Sequence, residues 1–406
     1  MTFDRRTFLG TLAAASAGAA LPRRSRAQSK TLKLGVLNDQ SGPYRDIAGQ
    51  HSVNAVRLAI KEIGPGLNCE VLSADHQNKP DVGAGIVRQW IDQDGVDLII
   101  DVNTSSVALA VNNVCKEKNR AYINNGAATA DLTGPQCTPV TIHWAYDTYM
   151  LAQSTGGATV RAGGKTWYFI TADYVFGQQL QRDTTGFVVK EGGKVLGASP
   201  YPFPGTTDFS SFLISAQSSG ADVLGLANAG TDTINSIKQA AEFGLTQKMK
   251  VAALLMYIND VHGLGLDAAQ GLFLTESFYW DLNDHTRAFT KRFQAVDPAV
   301  APNMDQAGAY AGALHFLKAV KELGVQNASD GGAVVAQMKK MPAQDDAYGT
   351  TTIREDGLAL VPAYLFQVKT PKESKGPWDY YKLVQTSAPD KAWRPLNEGN
   401  CPMVKA

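Results

Sequence analysis

From Leu32 onward the chain repeats one unit: a short apolar run, then a stretch whose apolar residues recur every three or four positions. Short apolar runs fit buried strands, and the three-to-four spacing marks one face of a helix. Lys33–Leu37 reads as a strand, and Val53, Val56, Ile60 and Ile63 mark the helix after it. Cys69–Ala74 is the next strand. Pro80, suited to a first helical turn, opens a helix carrying Val82, Ile86 and Trp90. Val96–Val102, a helix over Ser105–Lys118 and a strand over Ala121–Asn124 continue the series. After His143 and Trp144 the pattern restarts. Strands at Lys165–Thr171, Lys194–Ala198, Ala221–Asn228, Lys250–Met256 and Gly271–Ser277 alternate with helices beginning near Gln178, Asp208 and Asp232. Helices follow near 284–296, 304–324 and 331–340, then strand-like pieces at 350–354 and 363–369 and an irregular Pro-rich end. Such alternation predicts an α/β protein with two Rossmann-like lobes, each a parallel sheet covered by helices on both faces.

The predicted organisation is an export signal over 1–27, a discontinuous first lobe over 30–145 and 276–345, and a second lobe over 146–275. Residues 346–385 add strands near the hinge, and 386–406 form a C-terminal tail. The export signal rests on Arg5, Arg6, Thr7, Phe8 and Leu9, preceded by Asp4 and followed by a weakly apolar run from Thr11 to Leu21. Ser25-Arg26-Ala27 then offers a small-x-small cleavage site, the order of a twin-arginine signal. The apolar run is shorter than the roughly 20 residues that span a bilayer. The expectation is a folded, periplasmic protein beginning near Gln28.

Charge narrows the partners. Lys+Arg and Asp+Glu are equal at 38 each, so the chain of 406 residues carries no electrostatic footprint for nucleic acid or an anionic membrane. The four cysteines stand in an oxidising compartment on this reading. Cys69 and Cys115 sit in apolar patterns that read as buried core, whereas Cys137 and Cys401 lie in loop-like settings and are expected to pair, pinning the tail. The cysteines lack CxxC spacing and His262, His285 and His315 are scattered, so no metal and no cofactor is expected.

Ligands in open α/β sheets bind beyond the carboxyl ends of the strands. That rule selects 103–106, 124–129, 172–176, 228–231 and Met256-Tyr257, with 38–44 and Asp75-His76. Ser105 stands where a strand becomes a helix, a place that suits either ordinary capping or an anion such as a carboxylate. Gly126-Ala127-Ala128-Thr129 reads as a tight turn or as a backbone surface that a ligand can approach, with Thr129 adding a hydroxyl. Tyr44, Tyr174, Phe176 and Tyr257 crowd other strand ends, either packing the lobes together or walling a cleft for a flat or apolar group. Asn228 joins them. No nucleophile elbow, dinucleotide fingerprint or phosphate loop is present. Hydrolysis at Ser105 would need His76 or His143 beside it.

These strand ends resemble the type I periplasmic binding proteins of ABC importers, in the leucine/isoleucine/valine-binding branch. The resemblance runs from about Leu32 to Val384. It is carried by Leu34–Leu37 with Ser41-Gly42-Pro43, Thr104-Ser105 through Ala110, Ile123 through Ala127-Ala128-Thr129 to Thr133, Asp173 through Phe176-Gly177, Thr206–Phe209 and Asp267–Gly271. It implies two lobes joined by three hinge crossovers, closing on a ligand. It further implies that Ser105, Ala127 and Thr129 hold a ligand carboxylate. At the position of a common ligand-contacting tyrosine this chain has Phe176. After Leu255, where amino-acid binders of the branch carry an acid for the α-ammonium, it has Met256-Tyr257-Ile258-Asn259, and Asp260 comes late. A buried ammonium needs a paired charge, so the expected ligand is a small carboxylate with an aromatic or apolar body. Tyr44, Tyr174, Phe176, Asn228 and Tyr257 would line the rest of the cleft. The expected partner is the membrane permease of an ABC importer, served by a monomer that catalyses nothing. The rival readings are a branched-chain or other amino-acid or amide carrier, a ligand-sensing receptor module, and a hydrolase of acid esters or amides.

Overall fold

In the computed structural model of the protein, residues 30–405 are described. The predicted export signal lies outside them. Strands β1 (Thr31–Asn38), β2 (Asn68–Asp75), β3 (Leu98–Asp101), β4 (Ala121–Asn124) and β5 (Thr141–His143) form one parallel sheet in the order β2-β1-β3-β4-β5. Strands β6 (Thr166–Ala172), β7 (Lys194–Tyr201), β8 (Val223–Ala227) and β9 (Lys250–Ala253) form a second parallel sheet in the order β7-β6-β8-β9. Each order reverses beside its first strand, at β1/β3 and at β6/β8. There the connecting helices leave on opposite faces and a crevice opens at the carboxyl ends. The fold is therefore α/β with two lobes, each built on a parallel sheet.

Apolar content at both sheets is nearly continuous because helices cover both faces. Val36, Ile99, Ile100, Phe169, Ile170 and Leu226 are all fully buried. The helix Met304–Leu323, late in the chain, returns to the first lobe and packs along the helix Gly49–Ile63. It is buried almost all round, and two glycines bring it close. A Cβ at Gly312 would meet the Ile123 side chain at 2.8 Å, and one at Gly308 would meet the Asn125 Cβ at 2.9 Å. The start of this helix is thereby pressed against the carboxyl end of the first sheet.

The expected strand-like pieces at 350–354 and 363–369 are present, in antiparallel sheets apart from the parallel ones, while other expectations need correction. Strand β10 (Phe273–Glu276) leaves the parallel pattern, and β11 (Ala343–Asp345), β12 (Gly349–Ile353) and β13 (Ala359–Leu360) form a small antiparallel sheet. Strands β14 (Ala363–Val368) and β15 (Tyr381–Ser387) complete an antiparallel sheet with β10, in the order β10-β14-β15. The end of the chain is thus not irregular throughout; β15 is an edge strand with its middle exposed, so its polar and apolar residues show no burial alternation. Strand β9 stops at Ala253, and Leu254–Tyr257 turn toward the other lobe. Cys69 is only half-buried, because β2 is the edge of its sheet, whereas Cys115 is buried.

Cys137 and Cys401 are joined by a disulfide, with their Cα atoms 5.6 Å apart and a sequence separation of 264. The tail is further tied to the first lobe by Arg394 Nη2, which donates to the Ala130 carbonyl at 2.9 Å. Closing so long a loop removes freedom chiefly from the unfolded chain. Cys401→Ser is expected to cost about 2–4 kcal/mol, read as a lowered melting temperature in non-reducing buffer. An unchanged melting temperature would show that the tail imposes no constraint.

Candidate functional site

The carboxyl ends of the two sheets face each other, and the loops leaving β1, β3, β4, β6, β8 and β9 meet between them. From the first lobe, Tyr44, Ile47, Asn103, Ser105, Gly126 and Ala128 line a shared cavity, joined by Tyr146 after β5 and by Asp305. From the second lobe come Tyr174, Phe176, Ala229, Leu255 and Tyr257. The wall contains five aromatic rings and no Lys, Arg or His. Its enclosed volume is about 10 Å³, room for about one water molecule. Any larger solute therefore enters with the lobes apart.

Ser105 is the first residue of the helix Ser105–Glu117 and is 1% exposed. Its Oγ is buried without a hydrogen-bond partner, a state that is rare because an unpaired buried hydroxyl costs about 1–3 kcal/mol. Neither histidine near it supplies a base. His76 Nε2 bonds Asn103 Oδ1 at 3.0 Å while its Nδ1 accepts from the Asn78 N–H at 3.0 Å. His143 Nε2 bonds the Tyr146 carbonyl at 2.8 Å. Burial pushes both imidazoles down to about 4, so they stay neutral at physiological pH.

The small-residue turn after β4 alternates. Gly126 and Ala128 face the cavity. Ala127 points the other way, with its N–H and carbonyl bonded to the Asn124 side chain at 3.2 and 2.7 Å. Gly126 has no substitute here, since a Cβ would lie 2.5 Å from Asp101 Oδ1. Thr129 Oγ1 accepts from the Asp131 N–H at 3.3 Å, capping the turn that follows. Asn228 is fully buried and bonded to Ser236 and Thr233 at 3.1 and 2.8 Å. Of the eight expected site residues, the structure gathers Ser105, Tyr44, Tyr174, Phe176 and Tyr257 at the cavity and leaves Ala127, Thr129 and Asn228 beside it. Asp260 also stays outside, its carboxylate accepting the Tyr257 N–H at 2.9 Å.

Tyr146 and Asp305 were absent from the sequence expectations. Tyr146 follows β5, a strand of three residues that is too short to register as an apolar run, so the strand-end rule had nothing to act on. Asp305 follows no strand at all. It sits in the first turn of the helix Met304–Leu323, whose Asn303 side chain caps the N–H groups of Asp305 and Gln306 at 2.8 and 3.1 Å. The only sequence signal is that an acid in a first helical turn is ordinary, which hides its second role.

The two lobes touch through specific bonds. The Tyr44 and Tyr174 hydroxyls are 2.7 Å apart, and Phe203 stacks on both rings, at 5.4 and 4.3 Å between centroids. Thr231 N–H donates to the Pro43 carbonyl at 3.1 Å. That approach is open only because Gly230, at φ 60°, has no Cβ; one would lie 2.4 Å from the same oxygen. Gln179 Nε2 reaches Asp131 Oδ2 at 2.7 Å, and Asn303 Nδ2 reaches Asn259 Oδ1 at 2.8 Å. Tyr257 donates to the Tyr146 hydroxyl, which donates to the Gly126 carbonyl.

A family model for periplasmic binding proteins matches residues 31–377. Among solved structures, the chain is similar to a periplasmic binding protein from Burkholderia mallei, with 46% identity over 92% of this chain and 99% of that one and a TM-score of 0.88. It is also similar to a branched chain amino acid ABC transporter periplasmic ligand-binding protein from Burkholderia xenovorans, with 38% identity over 92% of this chain and 100% of that one and a TM-score of 0.79. A solute-binding protein of an ABC transporter from R. palustris, in complex with benzoate, shares the fold at 20% identity, over 89% of this chain and 97% of that one, with a TM-score of 0.79. No curated protein matches the chain.

Each cross-lobe hydrogen bond contributes about 0.5–1.5 kcal/mol net, so closure rests on few bonds. Tyr174→Phe removes the hydroxyl that meets Tyr44 while keeping the stack on Phe203. Small-angle scattering of the ligand-free variant is expected to show a larger radius of gyration than wild type. Identical profiles would remove this bond from the closure.

Proposed function

The chain belongs to the periplasmic binding protein family, and on that premise we propose that it is the solute-binding component of an ABC importer, closing on a small carboxylate with an aromatic or apolar body. The observation that carries this reading is the unpaired Ser105 hydroxyl. It sits inside the cavity at the N-terminus of a thirteen-residue helix. Free N–H groups and the helix dipole favour an anion there, and the hydroxyl supplies a further donor. The cavity offers no cationic side chain, so hydrogen-bond donors and the helix dipole, not an ion pair, would hold the carboxylate. The body of the ligand would lie against Tyr44, Tyr174, Phe176 and Tyr257. The R. palustris relative of the same fold, found in complex with benzoate, agrees with this class of ligand.

Closure of the lobes over the ligand would create the shape that a membrane permease recognises. Asp305 supports a second reading. An acid in the wall is what an α-ammonium requires, and the B. xenovorans relative is named for branched chain amino acids.

A thermal-shift screen of the purified protein against aromatic carboxylates and against the common amino acids separates the two, because a ligand that binds only the native state raises its melting temperature. The expected outcome is a shift with aromatic acids alone. Ser105→Ala should then weaken binding about 10- to 100-fold, the loss of one hydrogen bond to a charged group. A shift with amino acids alone would overturn the ligand class and leave the carrier.

A further inference from the structure

We propose that the Asp101–Asp305 carboxyl pair makes capture of a carboxylate consume a proton. The inference rests on the carboxylate reading above and deepens it. Asp305 lines the same cavity as the unpaired Ser105 hydroxyl. Asp101, at the end of β3, lies close enough that its charge raises the Asp305 carboxyl. Asn125 Nδ2 stands 2.6 Å from Asp305 Oδ1 and 3.2 Å from Asp101 Oδ1, so one amide spans both acids. Asp101 also accepts from Asn38 Nδ2 at 2.9 Å. Both carboxyls are fully or almost fully buried, at 0% and 1% exposure. Two buried acids spanned by one amide resist ionising together, and they share a proton instead.

Among the described residues, nothing cationic compensates them. The groups facing the pair are Asn38 from β1, Ser52 from the helix Gly49–Ile63, Asn125 from the end of β4, and Tyr122, Tyr146, Tyr257 and Tyr348. Burial holds all four tyrosines well above their usual range, so they remain neutral. Two further acids stand nearby, Glu276, which accepts the Met304 N–H at 3.3 Å, and Asp260. Burial raises them to about 8 and about 7, and neither lines the cavity.

The proton balance follows. Burial lifts Asp101 to about 6, and burial with the neighbouring charge holds Asp305 well above the usual carboxylate range. At low pH the pair carries two protons and is neutral. At higher pH it carries one proton and one negative charge, at the wall of the cavity. A ligand carboxylate, ionised at pH values well above about 4, brings a second negative charge into the same dry space. The singly charged pair then takes one proton from the solvent as the ligand enters, and no bond within the ligand changes. Affinity is therefore greatest where the pair is fully protonated and falls as pH rises. An ammonium-bearing ligand has the opposite sign, since it would displace the shared proton.

The test is calorimetric titration of the purified protein with benzoate and related acids at pH 7, in buffers of different ionisation enthalpy. Uptake approaching one proton per ligand is expected, with affinity falling up to tenfold per pH unit as pH rises. Asp305→Asn should still bind but exchange close to no protons and lose the pH dependence. Asp101→Asn serves the same purpose should the first variant fail to fold. A role that is merely structural would leave the proton count unchanged. Binding without proton exchange, with proton release, or with uptake unchanged in both variants overturns the linkage and leaves the carboxylate reading standing. No heat with any acid overturns the carboxylate reading and the linkage together.

Discussion

Polar groups that must be buried without a cation beside them govern how the two lobes meet. The carboxyl ends of two parallel sheets confront each other, and every strand ends in backbone and side-chain polar atoms that a dry interface would leave unpaired. The molecule answers with amides, hydroxyls and backbone N–H groups. Asp39 accepts the N–H groups of Ser41, Gly42 and Tyr44 at 3.3, 2.7 and 2.9 Å. Asn103 Oδ1 accepts from the Asp39 N–H at 2.9 Å and meets His76. The loops carrying Tyr44 and Ser105 thereby become one rigid piece. Of the buried side-chain atoms left unpaired among the described residues, the Ser105 hydroxyl is the one that lines the cavity.

The same constraint explains the backbone at the end of β3. Asp101 and Val102 hold φ values of 84° and 63°, a left-handed conformation that non-glycine residues avoid at a cost of about 1–3 kcal/mol each. The Asn38 bond to the Asp101 carboxyl and the Val102 N–H bond to the Leu37 carbonyl at 2.8 Å hold the turn. It directs the Asp101 side chain behind the cavity and starts the helix of Ser105 in the right place. Strain of this kind persists where surrounding contacts over-determine it, and here they are the contacts of the site.

Much of the fold was legible because its strongest signals are local. Val53, Val56, Ile60 and Ile63 mark a helix by spacing alone, and Ala121–Asn124 is as apolar as a strand buried on both faces must be. The strand-end rule selected Ser105, Tyr44, Tyr174, Phe176 and Tyr257, which the structure places at the cavity. What the sequence withheld was direction. Ala127 and Ala128 are adjacent and identical, and only the extended backbone decides which faces the cavity. Thr129 spends its hydroxyl on a local cap and Asn228 its amide on the Ser236 and Thr233 hydroxyls, uses that compete with ligand at any strand end. Asp305 was hidden because its neighbours are set by a helix crossing from far along the chain, and no periodicity reports that.

That crossing helix also orders how the chain can assemble. The second lobe's parallel sheet is drawn from one continuous stretch, β6 to β9, and its contacts close over short distances. The first lobe instead waits for Met304–Leu323 to pack on Gly49–Ile63, a contact spanning most of the chain. Contacts of such separation form slowly because loop closure must precede any gain. The second lobe's parallel strands can pair early, although its core is completed only by Phe366, Val368 and Tyr381, while the first lobe stays an open-faced sheet with Ile123 and Ile100 uncovered. During biogenesis the vulnerable surface is therefore the part made first, and its protection until the far helix arrives becomes the step at which misassembly is decided.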